Sequence, residues 1–400
     1  MSQNRVAITG MGIISSIGTT IDENFNALIN RKKGIAPVVN IKTRHDKDIK
    51  VGEVLLTNKQ LADNLNLPTN HNYSRTTLLG CIAAKQAITH ANIKDVNSCK
   101  TGFISATSVG GMDMTEKHFQ NFHKNTESKK FIESHHAGNS TEKIAKHLGI
   151  TDYITTISTA CSSAANAIML GARLIKSGQL DRVIVGGTDG LAKFTINGFK
   201  TLMILSETDC KPFDANRSGL NLGEASAYLV LESDTVIQKE NKPVLAHLAG
   251  YGNANDAFHQ TASSANGEGA FLAMQKALTV ANIKPKNIDY INAHGTATPN
   301  NDLSEGEAIK RIFTNTIPSF SSTKAFTGHT LAAAGAIEAV YSVLALQQNI
   351  MFPNLNFNEA IPELNITPIT SVTKKHLNYV LSNSFGFGGN CSTLIFSKSE

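Results

Sequence analysis

Cysteine is scarce, and its placement excludes more than its number does. Five of 400 residues are cysteine, namely Cys81, Cys99, Cys161, Cys210 and Cys391, an odd count with no C-x-x-C pair. That spacing argues against a disulfide framework and a zinc site, and it favours a reducing compartment. The N-terminus has no signal-peptide apolar segment, because Met1-Ser2-Gln3-Asn4-Arg5 leads straight into a strand-like run. The longest apolar stretch, residues 331–346, carries Glu338 at its middle and reads as too short to span a bilayer. No repeat of 20–50 residues recurs, which argues against a solenoid. Charged residues are only 17% of the chain and the net charge of +5 is mild. Without a basic stripe, that balance gives no case for nucleic acid and suits an acidic protein partner. A soluble cytoplasmic protein is expected, with no membrane and no nucleic-acid contact.

What is present describes an ordinary globular chain, 41% hydrophobic and longer than one core usually serves. Two fused halves are expected, residues 1–238 and 239–400, parted in the polar stretch 233–243. The first half reads as a strand at 5–9 closed by a surface turn at Gly10-Met11-Gly12, then a helix to Asn30 opened by a Thr20…Glu23 capping box. A polar excursion (40–72), a helix (76–90) and a strand (101–105) follow. Residues 112–138 read as an exposed flap whose adjacent His135 and His136 point apart and stay solvated. Next come a helix capped within 139–142, strand 154–158, helix 164–176, and strands 181–187 and 227–232. The second half repeats this alternation, with strands at 244–249, 288–293, 318–322, 379–384 and 392–397 and helices at 269–281, 302–313 and 330–348. Strands alternating with helices in both halves predict α/β layering around buried sheets.

The chemistry begins at Thr159-Ala160-Cys161-Ser162-Ser163, where an apolar strand stops and a helical pattern starts. A cysteine in a first helical turn faces unpaired N–H groups and the positive dipole end, which favour thiolate. The dipole is worth roughly 0.2–1.5 pKa units, so a working nucleophile needs polar partners from elsewhere. A small buried apolar cysteine is the competing reading. Three turns of the second half supply candidates: Asn292-Ala293-His294-Gly295-Thr296-Ala297-Thr298, the stretch from Ser321 through Lys324 to Gly328-His329, and Ser384-Phe385-Gly386-Phe387-Gly388-Gly389. A lone histidine at a strand end is usually structural. Two of them with a lysine and an activated cysteine point to catalysis. The glycine-rich turn lacks the helix and acidic residue of a dinucleotide fingerprint, so no nicotinamide or flavin site is implied.

On these residues the chain resembles the β-ketoacyl-acyl carrier protein synthases, decarboxylating condensing enzymes of the thiolase-like superfamily. The matching stretches are Thr159-Ala-Cys161-Ser-Ser163, Lys211-Pro-Phe-Asp-Ala-Asn-Arg217, Ala293-His294-Gly-Thr-Ala-Thr-Pro-Asn-Asn-Asp302, Lys324-Ala-Phe-Thr-Gly-His329, Ala334-Gly-Ala-Ile-Glu338 and Asn383-Ser-Phe-Gly-Phe-Gly-Gly389. They run in the family's order nearly end to end. The resemblance implies five layers, helix, sheet, helix, sheet, helix, built from two fused pseudo-symmetric halves, with the site between them and a dimeric assembly. It further implies that Cys161 carries the acyl chain and that His294 and His329 promote loss of CO₂ from a malonyl extender. The N–H groups of Cys161 and Phe387 would form an oxyanion hole. Lys324 would hold charge near the histidines, paired with Glu338, and Asp302 would support the site. Thr296 and Thr298 would bind the pantetheine arm, with Val109 beside the acyl pocket, Phe385 at the substrate, Phe387 at the gate, and Arg217 near the tunnel mouth, where its charge would dock the acidic carrier protein. No resident cofactor is implied, since phosphopantetheine arrives on the acyl carrier protein.

The chain departs from the common pattern at Arg217-Ser-Gly-Leu220, Gly223-Glu-Ala-Ser-Ala227, Ala332 and Asn390-Cys391, where Thr-Asn is usual. These changes spare the Cys, His, His and Lys positions and open polyene or polyketide synthesis beside fatty acid synthesis. Two alternatives stand beside the main reading. One is a subunit that works only with a chain-length-factor partner, as a heterodimer rather than a homodimer. The other is a non-decarboxylating thiolase with Cys391 as second cysteine.

Overall fold

Ten strands carry the architecture, five in each half. The first half holds β1 (Val6–Ser15), β2 (Thr101–Ala106), β3 (Tyr153–Ile157), β4 (Arg182–Asp189) and β5 (Ala225–Glu232), and the second holds β6 (Ala246–Asn255), β7 (Tyr290–Asn292), β8 (Ser319–Ser321), β9 (Tyr379–Phe385) and β10 (Asn390–Lys398). The structure is a computed structural model that describes residues 6–124 and 126–399; Arg5, where the first strand was expected to start, lies outside the described residues. Their spatial order is β8-β7-β9-β10-β6-β1-β5-β4-β2-β3. Each second-half strand therefore mirrors the strand five places before it. The senses match too: β2 pairs parallel with β3 and β4, as β7 does with β8 and β9, and the remaining pairs in each half are antiparallel.

The mirror extends to single residues. Gly10 and Gly12 do not form a surface turn, because β1 is buried along its whole length. A Cβ on Gly10 would lie 2.5 Å from the Ala87 carbonyl oxygen, and one on Gly12 would lie 2.1 Å from that of Ala83. The strand thus packs directly on the backbone of α1 (Arg75–His90). Gly250 and Gly252 of β6 do the same, at 2.4 Å and 2.1 Å from the carbonyls of Ala277 and Ala273, on the corresponding helix Glu268–Ala281. In each half the register slips at the residue before the first glycine, Thr9 or Ala249. Glycine is required here by close approach to a helix, not by a turn.

Helix α1 and α2 (Ala137–Leu148) cover the outer face of the first half-sheet; α3 (Ser163–Lys176) and, further on, α6 (Ala334–Gln348) each touch strands of both halves; α4 (Glu268–Ala281) and α5 (Pro299–Ile312) cover the second. These are the expected five layers. The two half-sheets are also joined edge to edge by antiparallel pairs between β1 and β6, Val6 with Leu248 through Ile8 with Ala246, so hydrogen bonding makes one continuous ladder. The stretch Leu331–Gln348 is long and apolar enough by composition to cross a membrane, contrary to its reading as too short, but it is 89% buried. Its apolar surface faces both half-sheets. The chain passes between halves through the helix Asp234–Glu240.

Residues 112–138 are not a simple exposed flap. Helices Met112–His118 and Thr126–Ile132 pack together, followed by a turn in which Ser134 is buried. Helix α2 starts before the expected cap, because His136 Nδ1 accepts the Gly138 N–H at 3.2 Å. His135 Nδ1 lies 3.2 Å from Thr115 Oγ1.

Candidate active site

Cys161 lies between β3 and α3, one residue ahead of the helix cap Ser162, so it is not in the first helical turn as its spacing suggested. Ala160 before it takes a left-handed φ of +54°, a conformation costly for a residue with a side chain. Ser163 holds this turn, accepting the Thr159 N–H at 2.8 Å and donating to the Ala160 carbonyl at 2.5 Å. The side chain is buried, and burial pushes the thiol up to about 12 despite the Lys324 charge and a hydrogen bond from the Phe387 N–H. Desolvation outweighs the pull of Lys324, so the resting sulfur is a thiol, although a helix start alone favours thiolate.

His294 follows β7, and α5 holds it from behind. Glu305 accepts the backbone N–H groups of His294 and Gly295, each at 2.8 Å, and an N–H of Asn383 at 3.0 Å. Burial pushes this carboxyl up to about 7. Asp302, one turn earlier, accepts the N–H groups of Phe213 at 2.7 Å and Ala297 at 3.1 Å. Thr296 and Thr298 meet hydroxyl to hydroxyl at 2.8 Å. Sequence reasoning missed Glu305. The available signal was its i,i+3 spacing from Asp302, which stacks both carboxylates on one helix face.

His329 comes from the turn before α6. Its Nδ1 accepts the Leu331 N–H at 3.1 Å, which leaves the ring proton on Nε2. The two imidazoles lie 5.4 Å apart, centroid to centroid, at 88°. Burial, then the Lys324 charge, holds both well below the ordinary histidine range, so each ring is neutral. His294 Nδ1 is buried without a protein partner. Lys324 and Glu338 are in direct contact, and Ser384 Oγ donates to the same carboxylate at 3.4 Å. Burial pushes Glu338 up to about 7 against the pull of Lys324. Asp189 at the end of β4, also missed, collects the N–H groups of Ser108, Val109 and Ala332. It thereby ties the loop after β2 to the turn that leads into α6.

The turn between β9 and β10 closes the site. Gly388 and Gly389 both have φ of +82°, and a Cβ on Gly386 would stand 2.8 Å from the Thr159 carbonyl. Glycine there lets this turn lie flush against the nucleophile's turn. Phe387 stacks on Phe199, centroids 5.9 Å apart. A cavity of about 310 Å³ collects Cys161, His294, His329, Thr296, Thr298, Phe385 and Phe387, together with Cys391. Lys324, Glu338 and Asp302 stand behind this lining. Val109 packs in an apolar cluster with Leu191, Ile196 and Leu220, of which Leu220 reaches the cavity. Arg217 does not line it; the guanidinium donates to the carbonyls of Asp214 at 3.0 Å and Pro299 at 2.7 Å. Among the described residues no group of three or more His, Cys, Asp and Glu is arranged to hold a metal.

Mirrored halves that contribute a cysteine from one side and two neutral imidazoles from the other define a thiolase-like condensing enzyme, an acyltransferase. The chain belongs to the β-ketoacyl synthase family, whose N-terminal domain model matches residues 3–236 and whose C-terminal domain model matches residues 245–358. It is similar to 3-oxoacyl-[acyl-carrier-protein] synthase 2 of Staphylococcus aureus (strain N315), 34% identical over 415 residues and covering 100% of both chains. Among solved structures it resembles the ishigamide ketosynthase/chain length factor, with TM-score 0.92, 26% identity and 100% of both chains covered. It also resembles a chain of the complex described as a type II PKS acyl-carrier protein in complex with its ketosynthase bound to the hexaketide, with TM-score 0.88, 25% identity and 99% of both chains covered.

Proposed function

We propose that the chain condenses an acyl group held on Cys161 with malonyl-acyl carrier protein, releasing CO₂ and β-ketoacyl-acyl carrier protein. The observation that carries this reading is the pair of buried neutral imidazoles in the same cavity as Cys161. In the first step the Cys161 sulfur–acyl bond forms, the carrier's pantetheine thiol leaves, and the proton lost by one thiol is gained by the other. Malonyl C–C cleavage then leaves an electron pair on the thioester as an enolate, whose oxygen takes N–H donation from His294 and His329. The enolate carbon attacks the Cys161 thioester, the oxyanion sits between the Cys161 and Phe387 N–H groups, and Cys161 departs as a thiolate that takes one proton from solvent, the proton the overall reaction consumes. One preorganised donor of this kind is worth about 3–4 kcal/mol.

Thr296 and Thr298 suit the pantetheine arm, so phosphopantetheine arrives on its carrier and no resident cofactor is needed. The pathway is fatty acid or polyene/polyketide synthesis, and the cytoplasm is the compartment, in keeping with five free cysteines. Strand β3 ends the ladder with none of its five residues fully buried, and Ile154 is 39% exposed. An unpaired edge of this kind suits a second subunit, a copy of the chain or a chain-length-factor-like paralogue.

The test separates the two half-reactions. His294→Ala and His329→Ala should each retain acylation of Cys161 by an acyl-carrier protein, read by intact mass. Both should lose labelled CO₂ release by about two to three powers of ten. Cys161→Ala should lose acylation and keep CO₂ release. Decarboxylation at the parent rate in both histidine variants would sink the proposal.

A further inference from the structure

The departure at Asn390 leads to a polar network beneath the proposed oxyanion hole. Asn390 opens β10, Asn166 lies on α3 and Asn253 on β6. Asn390 Oδ1 accepts N–H groups from Asn166 at 2.9 Å and Asn253 at 2.9 Å, and Ser162 Oγ lies 2.7 Å from the same oxygen. Asn166 Oδ1 accepts from Asn253 at 3.0 Å and from Ser392 Oγ at 2.7 Å, while its N–H reaches Thr159 Oγ1 at 2.9 Å. Three amides and three hydroxyls from four parts of the chain thus bond one another.

Asn390 bonds to both turns that carry the oxyanion donors. Its side-chain oxygen meets Ser162, the neighbour of Cys161. Its backbone carbonyl accepts the Gly386 N–H at 2.8 Å, which closes the turn holding Phe387. With no room for a side chain at Gly386 between the turns, a shift of either one changes the separation of the two N–H groups. A hydroxyl at position 390 would offer one shorter arm where the amide oxygen gathers three donors.

We propose that Asn390 is a positioning residue that sets the relative placement of the Cys161 and Phe387 N–H groups by bonding to both turns at once. The assignment rests on the proposed condensation chemistry, and it divides the site. Acyl transfer depends on Asn390, whereas malonyl decarboxylation, which uses the histidine donors, does not.

Asn390→Leu keeps the volume and removes the acceptor; Ser162→Ala removes one donor from the other side. Asn390→Leu should slow acylation of Cys161 by about ten- to a hundredfold, the range a misplaced reacting geometry costs, with KM for the acyl-carrier protein changed less than threefold. Ser162→Ala should slow it in the same direction, and the double variant should be no slower than Asn390→Leu, since the Ser162–Asn390 contact is lost in both. In a Cys161→Ala background, Asn390→Leu should leave labelled CO₂ release within about threefold of its own parent. Parent-rate acylation in Asn390→Leu overturns the proposal. So do equal losses in both half-reactions, or effects that multiply in the double variant. If Asn390→Leu does not fold, normal acylation by Ser162→Ala has the same force. A parent protein that neither acylates nor decarboxylates would instead refute the condensation reading itself.

Discussion

The Lys324 ammonium and the Glu338 carboxylate contact each other in the interior, 3% and 2% exposed, behind the two histidines that line the cavity. Removing one partner strands the other in a medium that solvates charge poorly. Lys324→Met alone should cost about 3–5 kcal/mol in urea unfolding. Lys324→Met with Glu338→Leu should recover most of that loss, because apolar side chains then replace both charges. A double variant no more stable than the single one would show that the pair is not the relevant unit.

The buried titratable groups oppose one another between about pH 4.5 and 6.5. Folded His294 and His329 lie well below 6.5, so their contribution to stability is present above 6.5 and lost as pH falls. Glu305 and Glu338 rise from 4.5 to about 7 on folding, so theirs is present below 4.5 and lost as pH rises toward 7. Glu338→Gln removes one term of the second kind. Its urea midpoint should climb with pH between 5 and 6.5 more steeply than the parent's, and His329→Gln should do the reverse. Parallel curves for all three proteins would contradict these environments.

A thiol pushed up to about 12 by burial is alkylated faster with every rise in pH. Iodoacetamide labelling of Cys161, followed by peptide mass, should increase from pH 6 to pH 9 without levelling, by roughly tenfold per unit. A plateau near pH 7 would restore the thiolate expected from the helix start.

Arg217 was expected at the tunnel mouth as a docking charge, but both ends of its guanidinium hold backbone carbonyls, one of them that of Pro299 in the cavity lining. Arg217→Gln should therefore raise KM by a similar factor, about three- to tenfold, for carrier-bound and small pantetheine thioesters, an effect of displaced binding groups. A rise confined to the carrier-bound substrate would return the residue to docking.

The sequence alone revealed the alternating strands and helices of both halves, the duplicated architecture and the turns bearing Cys161, His294, Lys324, His329 and Phe387, because those signals are local. A strand ending at a helix start, or a glycine beside a reactive side chain, is written within about ten residues. Tertiary structure decided what depends on distant neighbours. Gly10 and Gly12 read as a turn until Ala87 and Ala83 of α1, more than seventy positions away, are seen packed against them. Glu305 and Asp189 look like ordinary acids until backbone N–H groups from separate loops converge on them. The state of Cys161 follows the same division. Local sequence places it near a helix start, where a dipole of modest strength favours charge. Only the folded halves supply the burial that raises the thiol, because desolvation sums over every group that displaces water from the sulfur.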